Sequence, residues 1–204
     1  MSNLMQKIKG IYAITPNEPI NIAHIEALII QHKISVLQYR HKRRPAVQTD
    51  KISNDQMKLN EALALRQLCT KHHTLFIIND DINLALKSNA DGVHLGQDDS
   101  RIEDVRKQLG EKSIIGASCY NSISKAAQAE SQGANYVAFG ALFNSTTKPD
   151  APICELDIIS KAKQQISIPI VGIGGIDFNN QQKVFDAGCD AVAMINALFR
   201  PAKE

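Results

Sequence analysis

Short runs of consecutive apolar residues recur eight times along this sequence, separated by longer segments with helical spacing. The runs are Gly10–Ile14, Val36–Tyr39, Leu75–Ile78, Gly92–Leu95, Ile114–Ser118, Tyr136–Gly140, Ile170–Gly172 and Ala191–Ile195. They are apolar on successive residues rather than on every second one, the pattern of strands buried on both faces of a parallel sheet. Between them, Asn21–His32, Asn54–Lys71, Ser122–Gln132 and Leu156–Gln165 read as helices. In Asn54–Lys71, residues Met57, Leu59, Ala62, Leu65 and Leu68 mark one apolar face.

Three junctions repeat one theme. Asn89-Ala90-Asp91-Gly92, Gly133-Ala134-Asn135-Tyr136 and Gly188-Cys189-Asp190-Ala191 each lead from a helix into a strand. Glycine or asparagine there suits the left-handed residue that ends a helix. Repetition of one β-α unit about eight times predicts a single (β/α)8 TIM barrel over residues 1–204. An open doubly wound sheet uses the same alternation, but the count and spacing favour the barrel. At 204 residues the chain is at the lower edge for a barrel. The last helix is therefore expected to be a stub, starting at Asn196 as its N-cap and ending before Pro201.

Composition removes several classes of function. A net charge of +2 gives no field to draw in nucleic acid. The longest apolar runs fall far short of the roughly 20 residues a membrane helix needs, and Met1–Gly10 has no signal-peptide core. Cys69, Cys119, Cys154 and Cys189 are scattered without a C-x-x-C pair, which reads as reduced thiols in a cytoplasmic protein. The oligomeric state, monomer or homo-oligomer, is left open.

In a barrel the chemistry sits where strands end. The second strand runs out through Gln38-Tyr39-Arg40-His41-Lys42, and period-two alternation aims Gln38, Arg40 and Lys42 at one volume. An amide with two cations suits a phosphorylated ligand, whereas a bare basic run would read as a solvated loop. The third strand ends Asn79-Asp80-Asp81 and the fourth Gly96-Gln97-Asp98-Asp99. One carboxylate on each loop suits a hard dication, and the others suit helix N-caps. The fifth strand ends at Ser118, and the loop after the sixth carries Asn144-Ser145-Thr146-Thr147-Lys148, hydroxyls closing on a lysine.

The seventh strand leads into Gly174-Gly175-Ile176-Asp177 and the eighth into Ile195-Asn196. Adjacent glycines and the start of a short helix form the phosphate site common in barrels. Two anion sites are thus expected to face each other across the mouth, one for a diphosphate with a metal and one for a monophosphate. His94, inside the fourth strand, reads as a packed core group, and the other helical histidines as surface residues. There is no H-E-x-x-H, no G-x-S-x-G and no complete dinucleotide fingerprint.

In this order, Gln38-x-Arg40-x-Lys42, Asn79-Asp80, Asp91-Gly92-Val93-His94-Leu95-Gly96-Gln97-Asp98-Asp99, Phe143–Pro149 and Gly172-Ile173-Gly174-Gly175-Ile176 resemble the thiamine-phosphate synthase family. The resemblance implies transfer of a hydroxymethylpyrimidine from its diphosphate to a thiazole phosphate, giving thiamine monophosphate and pyrophosphate with Mg²⁺. It implies Gln38 on the pyrimidine and Arg40, Lys42, Asn79, Ser118 and Lys148 on the diphosphate. It places Asp80 and Asp99 on Mg²⁺, and Ser145 and Thr147 on the thiazole. Gly175, Ile195 and Asn196 would offer amides to the thiazole phosphate. Arg40, Lys42, Ser118 and Lys148 would be the catalytic groups.

Ser145, Asn196 and Tyr120 depart from the residues many members carry, which are Thr, Ser and His. The basic loop Arg43–Ser53 is longer than that family leads one to expect. Two alternatives accompany this reading. One is a thiazole tautomerase on the same barrel, in which a histidine is expected where Tyr120 stands. The other is a non-catalytic phosphate-binding barrel.

Overall fold

The computed structural model describes residues 6–42, 51–96, 101–144 and 152–200. The apolar runs become eight parallel strands that pair in chain order and close into a barrel. They are β1 (Gly10–Ile14), β2 (Val36–Tyr39), β3 (Leu75–Asn79), β4 (Gly92–Leu95), β5 (Ile114–Tyr120), β6 (Tyr136–Phe139), β7 (Ile170–Ile173) and β8 (Ala191–Met194). Closure is made by β1 against β8, with Gly10 in register with Ala191.

Helices follow each strand: α1 (Ile22–His32), α2 (Lys51–Lys71), α3 (Ile82–Ser88), α4 (Ile102–Leu109), α5 (Ile123–Ser131), α6 (Asp157–Lys163), α7 (Gln181–Asp186) and α8 (Asn196–Phe199). Three begin on side-chain caps, with Asn21 accepting from His24 N–H, Asp81 from Leu84 N–H and Ser122 from Lys125 N–H. Each supplies an acceptor to an otherwise unpaired first-turn amide.

Two boundaries differ from expectation. Helix α2 starts at Lys51, inside the stretch read as loop, because that polar run has no glycine or proline after Pro45 to stop a helix. The stub α8 is as short as expected, yet its cap position is Ile195 and Asn196 is already helical.

The repeated junctions have a common physical basis. Asn89, Gly133 and Gly188 all have positive φ, at 52°, 94° and 111°, which turns the chain from helix to strand. Two residues on, a polar side chain ties the new strand to the previous one. Asp91 Oδ2 accepts Phe76 N–H at 2.7 Å and Arg66 at 2.7 Å. Asn135 Oδ1 accepts Ile115 N–H at 2.8 Å and Arg106 at 2.7 Å. Asp190 Oδ2 accepts Ile170 N–H at 2.7 Å and Lys163 at 2.6 Å. Before β2, Ser35 takes the corresponding place and donates to Ile11 C=O at 3.1 Å. The clamp therefore recurs at every second strand, at the end of the barrel away from its mouth.

The core has two shells. Leu37, Phe76, Ile78, Val93, Ile115, Val137 and Val192 point outward and pack under the helices. Tyr12, Ile14, Val36, Leu75, Ile77, Ile114, Tyr136, Ala138, Val171, Ala191 and Ala193 fill the barrel itself. Barrel interiors favour branched aliphatics. Here two tyrosines replace them in the layer beneath the mouth, and Gly116 makes room for one of them.

Candidate active site

The C-terminal ends of the strands open into one cavity of about 920 Å³. Gln38, Arg40, Lys42, Asn79, Asp80, Ser118, Gly175, Ile195 and Asn196 all line it. Asp99, Ser145, Thr147 and Lys148 lie outside the described residues, as does most of the basic loop Arg43–Ser53.

One side of the mouth is built by β1, β2 and β3. Gln38 is buried, Arg40 half-buried and Lys42 exposed, so the alternation lifts them progressively from barrel to solvent. The turn after β1 holds this strand end. Thr15 Oγ1 accepts Arg40 N–H at 2.9 Å, while Asn17 Oδ1 accepts from the Arg40 guanidinium at 3.1 Å and from Lys42 N–H at 3.2 Å. Burial lowers the Arg40 pKa and the nearby Asp80 carboxylate works against it.

Asp80 sits at the end of β3 with φ of 62°, a conformation that costs a non-glycine residue about 1 kcal/mol or more. That turn lets consecutive aspartates face different ways. Asp80 Oδ2 lies 3.0 Å from Lys42 Nζ and accepts from Asn79 Nδ2 at 2.5 Å. Asp81 instead caps α3 through Leu84 N–H at 2.9 Å. One carboxylate faces the cavity and its neighbour serves the helix.

Beneath the mouth runs a chain of polar contacts. Gln38 Nε2 donates to Tyr12 Oη at 2.8 Å, and Tyr12 Oη meets Tyr136 Oη at 2.8 Å. Tyr136 Oη meets His94 Nδ1 at 3.0 Å, and His94 Nε2 meets Ser118 Oγ at 2.9 Å. Burial holds His94 neutral, with its pKa lowered to about 4, and raises both tyrosines above their ordinary value. His94 is thus a packed, hydrogen-bonded group as its place in a strand implies, yet it also borders the cavity. Tyr12, Tyr136, Thr15 and Asn17 were not marked by any sequence pattern. Tyr12 and Tyr136 are 124 residues apart, so only the closed barrel brings them together.

The opposite side is formed by β6, β7 and β8. Gly174 and Gly175 have φ of 98° and 63°. A Cβ on Gly175 would stand 2.2 Å from Asn144 O, and one on Gly174 2.6 Å from Ala141 Cα. The β6 loop lies directly on them, Phe143 N–H donating to Gly174 O at 3.0 Å. Close packing of two loops already demands both glycines, apart from any anion. Farther out, the cavity reaches His24 and His32, with His32 stacked on Phe178 at 4.7 Å. These two histidines sit on the surface of α1 but border the site.

Among the described residues, no cluster of three His, Cys, Asp or Glu side chains converges. Asp80 is nonetheless a hard oxygen donor at the cavity wall, flanked by cations and an amide. That donor set suits Mg²⁺, which binds through one or two carboxylates together with substrate phosphates. No helix among the described residues is long and apolar enough to cross a membrane.

Comparison with known proteins agrees with this fold. The family model described as thiamine monophosphate synthase matches residues 11–198. A thiamine-phosphate synthase of Methylobacillus flagellatus is 46% identical over 197 residues, spanning 96% of this chain and 90% of that protein. One from Thioalkalivibrio sulfidiphilus is 39% identical over 208 residues, with 100% and 94% covered. The solved thiamine phosphate pyrophosphorylase of Pyrococcus furiosus superposes with a TM-score of 0.80 at 33% identity, covering 96% of this chain and 89% of that one. Matched along nearly its whole length in sequence and in fold, the chain belongs to the thiamine monophosphate synthase family.

Proposed function

We propose that this chain makes thiamine monophosphate at its barrel mouth. The substrates are a hydroxymethylpyrimidine diphosphate and a hydroxyethylthiazole phosphate, or its carboxylated form. The observation that carries this reading is the convergence of Arg40, Lys42, Asn79, Asp80 and Ser118 on a single cavity. Residues 1–204 serve as one domain, and four buried thiols with no disulfide suit the cytoplasm.

In the reaction the bond from the pyrimidine methylene to the diphosphate oxygen breaks, its electron pair leaving with oxygen. The thiazole nitrogen then gives its lone pair to that methylene, forming the new C–N bond; from the carboxylated form, carbon dioxide then leaves and a proton from water takes its place on the ring. Pyrophosphate departs only if its growing charge is balanced. Arg40, Lys42 and Lys148 supply cations, and Asn79 and Ser118 supply hydrogen bonds, to the oxygens on which that charge grows. Asp80 and Asp99 would hold Mg²⁺, which when bound adds further positive charge at the leaving group.

Gln38 meets the pyrimidine ring. Ser145 and Thr147 line the thiazole side, and backbone amides at Gly175, Ile195 and Asn196 hold its phosphate in line for attack. No general base is needed, because the nucleophile is a neutral ring nitrogen. This accounts for a mouth rich in anion binders.

Purified protein given both phosphorylated halves and Mg²⁺ is expected to release thiamine monophosphate and pyrophosphate in equal amounts. Binding of either half without turnover would point instead to a non-catalytic phosphate-binding barrel. Rearrangement of the thiazole alone would point to a tautomerase.

A further inference from the structure

The polar chain beneath the mouth has a direction. An amide nitrogen can only donate, so Gln38 Nε2 gives its proton to Tyr12 Oη at 2.8 Å. Tyr12 must then spend its own proton on Tyr136 Oη, which is the other polar partner of its hydroxyl among the described residues. Tyr136, having accepted, donates to His94 Nδ1 at 3.0 Å. A nitrogen that accepts carries no proton, so in the neutral ring the proton sits on Nε2. From there it is given to Ser118 Oγ at 2.9 Å. The reverse order would give one of the tyrosine oxygens two donors and leave a buried hydroxyl proton unspent, which costs free energy.

We propose that Tyr12, Tyr136 and His94 are positioning residues. Their one-way hydrogen-bond chain occupies one of the two lone pairs of Ser118 Oγ from behind and leaves its hydroxyl proton to be donated into the cavity. A serine hydroxyl otherwise rotates freely between donor and acceptor roles. Here one lone pair is engaged from behind by His94, so the hydroxyl faces an incoming anion as a donor already oriented. Such preorganisation counts most where charge develops during the reaction. The catalytic consequence rests on the reading that Ser118 meets the diphosphate, whereas the proton order does not. Gly116 belongs to the same device, because a Cβ there would stand 2.0 Å from the Tyr136 ring.

The test is nitrogen NMR of the full chain labelled with ¹⁵N-histidine. Among the six histidines, His94 is identified by the signal lost in His94→Gln. The expected result at neutral pH is a ring protonated on Nε2 and bare on Nδ1. A proton on Nδ1, alone or with one on Nε2, would overturn the proposal. This reading needs no variant to fold except to label the peak.

The catalytic consequence is tested by a double-mutant cycle. Tyr136→Phe and Ser118→Ala are each expected to lower kcat about tenfold, as for one oriented hydrogen bond, with the KM for thiazole phosphate unchanged. Together they should cost little more than Ser118→Ala alone, since both act through one hydroxyl. Multiplying losses would contradict a role through Ser118. If His94 carries its proton on Nε2 but the wild-type protein makes no thiamine phosphate, the functional reading fails while the proton order stands.

Discussion

Tyr136 and Gly116 stand side by side in register on the adjacent strands β6 and β5, so close that a methyl group added to the glycine would lie 2.0 Å from the tyrosine ring. The glycine is therefore a packing requirement of the tyrosine, not a hinge. Gly116→Ala should destabilise the protein by about 1–3 kcal/mol, the usual cost of overpacking a filled core. Chemical denaturation checks this, and an unchanged midpoint would show that the ring has room to shift.

Asp91 links Phe76 N–H and Arg66 at the end of the barrel away from the mouth. Asp91→Ala leaves a partly buried amide and a guanidinium without their acceptor, costing about 1–3 kcal/mol. Because the clamp does not border the cavity, kcat of the folded protein should stay near that of wild type. Parallel denaturation and kinetics would reveal any departure, and a large loss of kcat would mean the two ends of the barrel are coupled.

Lys42 bonds Asp80 at 3.0 Å on the side of the mouth built by β1, β2 and β3. Lys42→Ala, like Asp99→Ala and Lys148→Ala, should reduce kcat by on the order of a hundredfold or more, the scale of one electrostatic contact in a transition state. The KM for the thiazole phosphate should change little. Initial rates at varied concentrations of each substrate separate the two effects.

His94 gives a pH signature. Burial lowers its pKa to about 4, against an ordinary value near 6.5 in the unfolded chain, with the Asp80 carboxylate opposing the shift. The unfolded state therefore binds a proton that the folded state refuses. This stability is fully present above about pH 6.5 and is lost as pH falls, about 3 kcal/mol by pH 4. Unfolding free energy measured across that window should slope less steeply in His94→Gln, whatever the variant's stability at neutral pH.

Burial pushes the thiols of Cys69, Cys119 and Cys189 up to about 12. In the native protein they should react with alkylating reagents far more slowly than in denaturant. Mass spectrometry of timed labelling would show it, and rapid native modification would mean the helix layer opens often.

The barrel was legible in the sequence because its strands are apolar on both faces and its helix-to-strand junctions repeat at Asn89, Gly133 and Gly188. Gln38, Arg40 and Lys42 were legible as a set because alternation along one strand is local. Asp80 and Asp81 look alike in sequence, and only the positive φ of Asp80 divides their tasks. Tyr12, Tyr136 and His94 read as ordinary strand residues, since their partners come from distant strands and exist only once the barrel closes. Gly174 and Gly175 were expected for an anion, whereas packing against the β6 loop accounts for them without one.

Where the chemistry takes place is tested most directly by a crystal structure with Mg²⁺ and pyrophosphate bound. The pyrophosphate is expected within hydrogen-bond distance of Arg40, Lys42, Asn79 and Ser118, with the metal against Asp80. Pyrophosphate held instead by the glycines after β7, or beside His32 and Phe178, would contradict the assignment of the two sides of the mouth.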